Sequence, residues 1–314
     1  MEREEEERCE TAMRRQGLVN QRPMLFVMLF VIAADGAFLA FGYIAQALLP
    51  SLPTYLLSDA SEGGMLVVTL GVIARLGWLG KVGLNGPSKW RDLRVLWLPI
   101  VITAFFVLGS LNLSQNLSGE FLVSVFISVF IIGFSEELAF RGVVLQTLIP
   151  GGTRRAVIVS SAIFGLIHLD NLVQAGAPGT PVGVAVQVLF SALFGVAFGS
   201  YRVRTNTIWP VIVFHALPDI SALFVQNSTG ETSTLNPSTV VIELDLGVVV
   251  ASYGLYLLRE RHRDVPVQDL RPSASVSSQG RSVLEHLRKF IDSDSTIRRT
   301  AQPRRRGRNV MEPG

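Results

Sequence analysis

This chain is short of charge. Only 17% of its 314 residues are Asp, Glu, Lys or Arg, against about 25% in an ordinary soluble domain. Most of that charge sits at the two ends, leaving an apolar body cut by short polar links. The single cysteine, Cys9, excludes an intramolecular disulfide. Histidine is scarce: of four, His262 and His286 lie in the polar C-terminal stretch. Neither Gly-x-Ser-x-Gly nor His-Glu-x-x-His occurs, which removes two common hydrolytic signatures. No cleavable leader is expected, since the first apolar run opens near residue 24, behind a charged stretch, and is long enough to cross a bilayer.

What is present is apolar. Hydrophobic residues make up 49% of the chain and the mean hydropathy is +0.40. A hydrocarbon core of roughly 30 Å needs about 20 helical residues. Segments near that length fall at 24–49, 64–80, 95–112, 121–149, 155–170, 182–200, 207–225 and 239–258. Backbone groups cannot stay unpaired in lipid, so each span should be a helix. The expected fold is therefore all-α: a polytopic membrane protein of about eight transmembrane helices, bundled around an intramembrane polar cavity. A charged tail precedes it at 1–23, and a Pro-, Ser- and Arg-rich tail follows at 259–314.

The links support that order. Those near 51–63, 113–120, 171–181 and 226–238 contain no Lys or Arg. The others carry Lys81, Lys89, Arg91 and Arg94, then Arg154 and Arg155, then Arg202 and Arg204. The positive-inside rule puts these basic links and both termini in the cytoplasm. The net charge of +3 and pI near 9.3 follow from that distribution, so no nucleic-acid partner is expected; the partners are membrane lipids. Within the C-terminal tail, 282–291 is the exception to disorder: Ser282-Val-Leu-Glu285 has a capping-box pattern, and the following apolar face suits either an anionic leaflet or a transient helix.

Ionisable residues inside spans are costly and are functional candidates by default. The fourth span reads Gly133-Phe-Ser-Glu136-Glu137-Leu-Ala-Phe140-Arg141-Gly142. Glu137 and Arg141 are spaced i,i+4 and can pair, whereas Glu136 points about 100° away. The fifth span ends Phe164-Gly-Leu-Ile-His168, and the seventh contains His215-Ala-Leu-Pro218-Asp219. At about 1.5 Å rise per residue, Glu136 and Glu137 lie about 18–20 Å from the cytoplasmic end, His168 about 20 Å and His215 about 12 Å, so the four can share one cavity. A buried carboxylate beside an imidazole can take a proton from water and deliver it to a leaving amine. His215 and Asp219 can stabilise an oxyanion, Asp219 only when protonated. Glu136, His168 and His215 are also suitable ligands for Zn2+, which would activate a bound water. Both routes hydrolyse amides, and the residue types leave the choice open. Glu and His chains also serve proton-coupled transporters, but no internal repeat is evident between the halves.

Glu136-Glu137-x-x-x-Arg141, Phe164-x-x-x-His168 and His215-x-x-x-Asp219, in this order and on separate helices, resemble the three signature motifs of the CPBP intramembrane proteases, the CAAX protease/Abi or type II CAAX prenyl endopeptidase family. The matched stretch covers about 136 to 219. The resemblance implies a membrane-embedded endopeptidase acting on a peptide or prenylated peptide. Glu136 with His168 would activate the water, His215 and Asp219 would stabilise the oxyanion, and Glu137, Arg141 and Phe164 would orient the site. Metal-dependent and metal-free mechanisms are both argued for the family, which also holds non-catalytic bacteriocin-immunity proteins. Outside the motifs, Asp35 and Arg75 are expected to pair with each other, and Pro210 and Pro218 to kink the seventh span.

Overall fold

The computed structural model describes residues 17–110, 118–174, 179–229 and 237–261. Both charged tails, including 282–291, lie almost wholly outside them. All regular structure among the described residues is helical. After a short turn at Gly17–Gln21, the longer helices are α1 (Pro23–Leu48), α2 (Thr54–Leu76), α3 (Trp97–Ser110), α4 (Gly119–Glu137), α5 (Thr153–Ile167), α6 (Pro181–Thr205), α7 (Trp209–Thr229) and α8 (Pro237–Arg261). Pro23 and Pro181 open their helices where a missing N–H costs nothing. Ser118 and Thr180 accept hydrogen bonds from the first turns of α4 and α6.

The chain is an integral, multi-pass membrane protein. Among the described residues, six helices are long and apolar enough to cross a bilayer. Of the other two in the expected set of eight, α3 has 14 described residues, and the described apolar stretch of α7 is Trp209–Ile220. Burial follows the membrane pattern. Ile32, Leu48, Val67, Leu108 and Val182 are exposed, while Glu62, Glu137, Arg141, Ser135 and Ser200 are buried. In lipid, exposed apolar side chains cost nothing, and polar groups must find partners inside the bundle.

The helices pack in two connected sets. Helix α4 lies between α2 and α7, while α6 lies between α5 and α8. The second span differs from its expected bounds: α2 begins at Thr54, ten residues ahead of position 64. Its polar opening, Ser58-Asp-Ala-Ser-Glu62, reads as a loop in isolation. It is helical because α4 supplies partners: Ser128 Oγ donates to Asp59 Oδ2 at 2.8 Å, and Ser135 Oγ contacts Glu62 Oε2. The fourth span also runs longer, continuing without a break to Gly151. The link after α2 is tied to the α6–α7 turn, with Arg202 Nη2 donating to the Lys81 carbonyl at 2.9 Å and Trp209 Nε1 to that of Leu84 at 2.8 Å.

Candidate active site

Two local features set the geometry of the fourth span. Gly133 allows α4 and α7 to approach closely, since a Cβ there would stand 3.1 Å from the Ile212 carbonyl oxygen. From Leu138 to Val144 the helix widens to π pitch, closed by Leu145 N–H donating to Phe140 O, and every residue of the widened turn is buried. Such π segments recur at functional positions because they re-aim side chains without ending the helix.

Glu137 is fully buried and bound twice. Its Oε1 accepts the Nδ1–H of His215 at 2.8 Å and lies 3.1 Å from Arg141 Nη1. A carboxylate can only accept, so Nδ1 carries the proton and Nε2 of His215 faces the other way. There it meets Glu136 Oε2 at 3.4 Å and Asp219 Oδ2 at 3.8 Å. Neither of those oxygens makes a hydrogen bond, so both retain capacity for water or for a substrate amide. The Arg141 guanidinium stacks 4.1 Å above the Phe164 ring and 5.6 Å from that of Phe198, which offsets its desolvation by cation–π attraction.

His168 is fixed separately. Its Nδ1 donates to the Phe164 carbonyl at 2.8 Å and its Nε2 lies 3.2 Å from the Ser191 hydroxyl. The carbonyl accepts only, which leaves Nε2 to receive the Ser191 proton. The Phe164 ring meets His168 edge-on at 5.0 Å and His215 at 6.1 Å. Phe164 thus contacts both imidazoles and Arg141. No hydrogen bond or ion pair joins His168 to Glu136; the imidazole on Glu136 is His215, because Gly133 brings α7 close to α4 at that level.

The metal expectation was Glu136, His168 and His215. Among the described residues no group of three or more His, Cys, Asp or Glu side chains is arranged to hold a metal ion. The Nε2 of His168 receives the Ser191 proton, whereas Glu137 on Nδ1 leaves the Nε2 of His215 facing Glu136 and Asp219.

Other expectations met different outcomes. Asp35 lies within hydrogen-bonding reach of Asp170, two residues beyond His168, while Arg75 is exposed in the last turn of α2. Pro218 is internal to α7, whereas Pro210 sits in its first turn. Asp59, Glu62, Ser128 and Ser135 form a polar seam that sequence reasoning missed. The available signal was an acid pair at i,i+3 directly ahead of an apolar run, matched by serines seven apart in the fourth span.

Residues 118–221 match the family model described as Rce1-like, type II CAAX prenyl endopeptidase Rce1-like. That segment contains Glu136, Glu137, Arg141, Phe164, His168, His215 and Asp219. No curated protein matches the chain.

Proposed function

We propose that the protein is an intramembrane endopeptidase of the CAAX-protease type, with Glu136 as its general base. The observation that carries this reading is the meeting of Glu136 and Asp219 at one nitrogen of His215, inside the bundle and inside the family-matched segment. Glu136 takes a proton from a water that adds to the peptide carbonyl, and returns it to the departing amine, so the bond cleaved is C–N and the products are an acid and an amine. The developing oxyanion is stabilised by the Nε2–H of His215 in its doubly protonated form, whose Nδ1–H stays on Glu137, and by Asp219 in its acid form. Glu137 supports this by holding His215 in one orientation, and Arg141 holds Glu137. His168, fixed by Ser191 and the Phe164 carbonyl, is assigned the second imidazole role at the water. The substrate is a peptide, prenylated or not, reached from the cytoplasmic half of the bilayer, with both termini of the enzyme on that side. Zn2+ dependence is assigned no step.

The test is cleavage of a membrane-peptide library by purified protein in lipid. Wild type should cleave, with Glu136→Gln lowering turnover by about 10²–10⁴-fold and His168→Ala also impaired. Cleavage by both variants at the wild-type rate would overturn the assignment. Metal content and chelator sensitivity of the same preparation decide whether Zn2+ takes part.

A further inference from the structure

Glu62 is a buried carboxyl that the mechanism above leaves unused. It is 3% exposed and Ser135, its contact on α4, is 0% exposed. Among the described residues, Glu136, His215 and Asp170 are ionisable groups close enough to act on it. Its hydrogen-bond partner is the Ser135 hydroxyl, directly ahead of Glu136 in the helix.

The hydroxyl poses a counting problem. Ser135 Oγ lies within bonding distance of two oxygens, Glu62 Oε2 and, at 3.3 Å, the carbonyl of Ile132. A serine has one proton to donate. With Glu62 ionised, both neighbours are acceptors and one contact lacks a hydrogen. With Glu62 protonated, its O–H donates to Ser135 and Ser135 donates to Ile132, and every contact is a hydrogen bond. The same assignment avoids two like charges in a low-dielectric interior, where only one of two neighbouring carboxyls ionises readily.

We propose that Glu62 is a positioning residue of the active site: a neutral carboxylic acid that donates to Ser135 and leaves the negative charge to Glu136. It acts through Ser135, touching neither water nor substrate, and lies outside the family-matched residues 118–221. Its catalytic consequence rests on the peptidase reading, but its protonation does not.

Two measurements test it. Infrared difference spectra of the full-length protein in lipid should show a protonated-carboxyl C=O band that is present in wild type, missing in Glu62→Gln and shifted in Ser135→Ala. Steady-state cleavage should show Glu62→Leu losing about tenfold in kcat, the scale of one hydrogen bond, with KM little changed. Glu62→Gln, whose amide can donate to Ser135, should recover most of that loss. Ser135→Ala, which removes only a hydroxyl, stands in if Glu62→Leu does not fold. Identical band intensity in wild type and Glu62→Gln would overturn the proposal, with or without peptidase activity. So would wild-type kcat in both Glu62→Leu and Ser135→Ala, or Glu62→Gln as impaired as Glu62→Leu. If wild type cleaves nothing, or Glu136→Gln cleaves as fast as wild type, the peptidase reading fails, and the band alone decides where the proton sits.

Discussion

Glu136 and Glu137 are adjacent in the chain and differ in every respect that matters chemically. Glu137 accepts from His215 and neutralises Arg141, so it is structural in the strict sense. Replacing it by Gln leaves a guanidinium that is 2% exposed without its counter-charge, and removing one partner of a buried ion pair costs about 3–5 kcal/mol. Thermal unfolding of Glu137→Gln should fall clearly below wild type. Glu136→Gln, whose neighbour His215 keeps its bond to Glu137, should unfold near the wild-type temperature while losing turnover. Equal destabilisation of the two variants would remove the division of roles. The Glu137–Arg141 pairing was legible from i,i+4 spacing. Its second bond, to His215, was not, because that depends on how closely α7 comes to α4.

At the scale of elements, the α5–α6 seam positions His168. Gly165 lies three residues before it, and a Cβ there would stand 2.6 Å from the Val188 carbonyl oxygen and 2.8 Å from the Ala192 Cβ. Small residues allow such backbone approach between helices in lipid. Gly165→Ala should therefore separate α5 from α6 by a few tenths of an ångström and strain the His168–Ser191 hydrogen bond. Overpacking of this kind costs about 1–3 kcal/mol, visible as a lower unfolding temperature together with reduced kcat. An unchanged kcat would show that the seam does not set the site. Helix existence was readable from apolar runs, and helix bounds were not. The opening of α2 reads as a polar link in isolation because Asp59 and Glu62 have no local partner; Ser128 and Ser135 provide one from another helix.

For the whole molecule, the alternation of basic and base-free links gives a labelling prediction. Cys9 is the only cysteine and sits in the N-terminal tail assigned to the cytoplasm. In sealed right-side-out vesicles a membrane-impermeant maleimide should leave it unlabelled until the membrane is permeabilised. A cysteine introduced at Ser114 in the cysteine-free background should label without permeabilisation. The reverse pattern would invert the topology.

Sequence alone was enough to show that this protein lives in a bilayer, that its fold is all-α, and that three short motifs hold the ionisable residues of the candidate site. These are properties of composition and of helix rise, which act along the chain and need no knowledge of neighbours. Tertiary structure alone decided which residues meet: His215 rather than His168 on Glu136, Asp170 rather than Arg75 near Asp35, and Glu62 behind Ser135. Those pairings depend on the distance and rotation between helices, set by side-chain packing at Gly133, Gly165 and the π turn, and nothing in the periodicity of one helix reports the position of another.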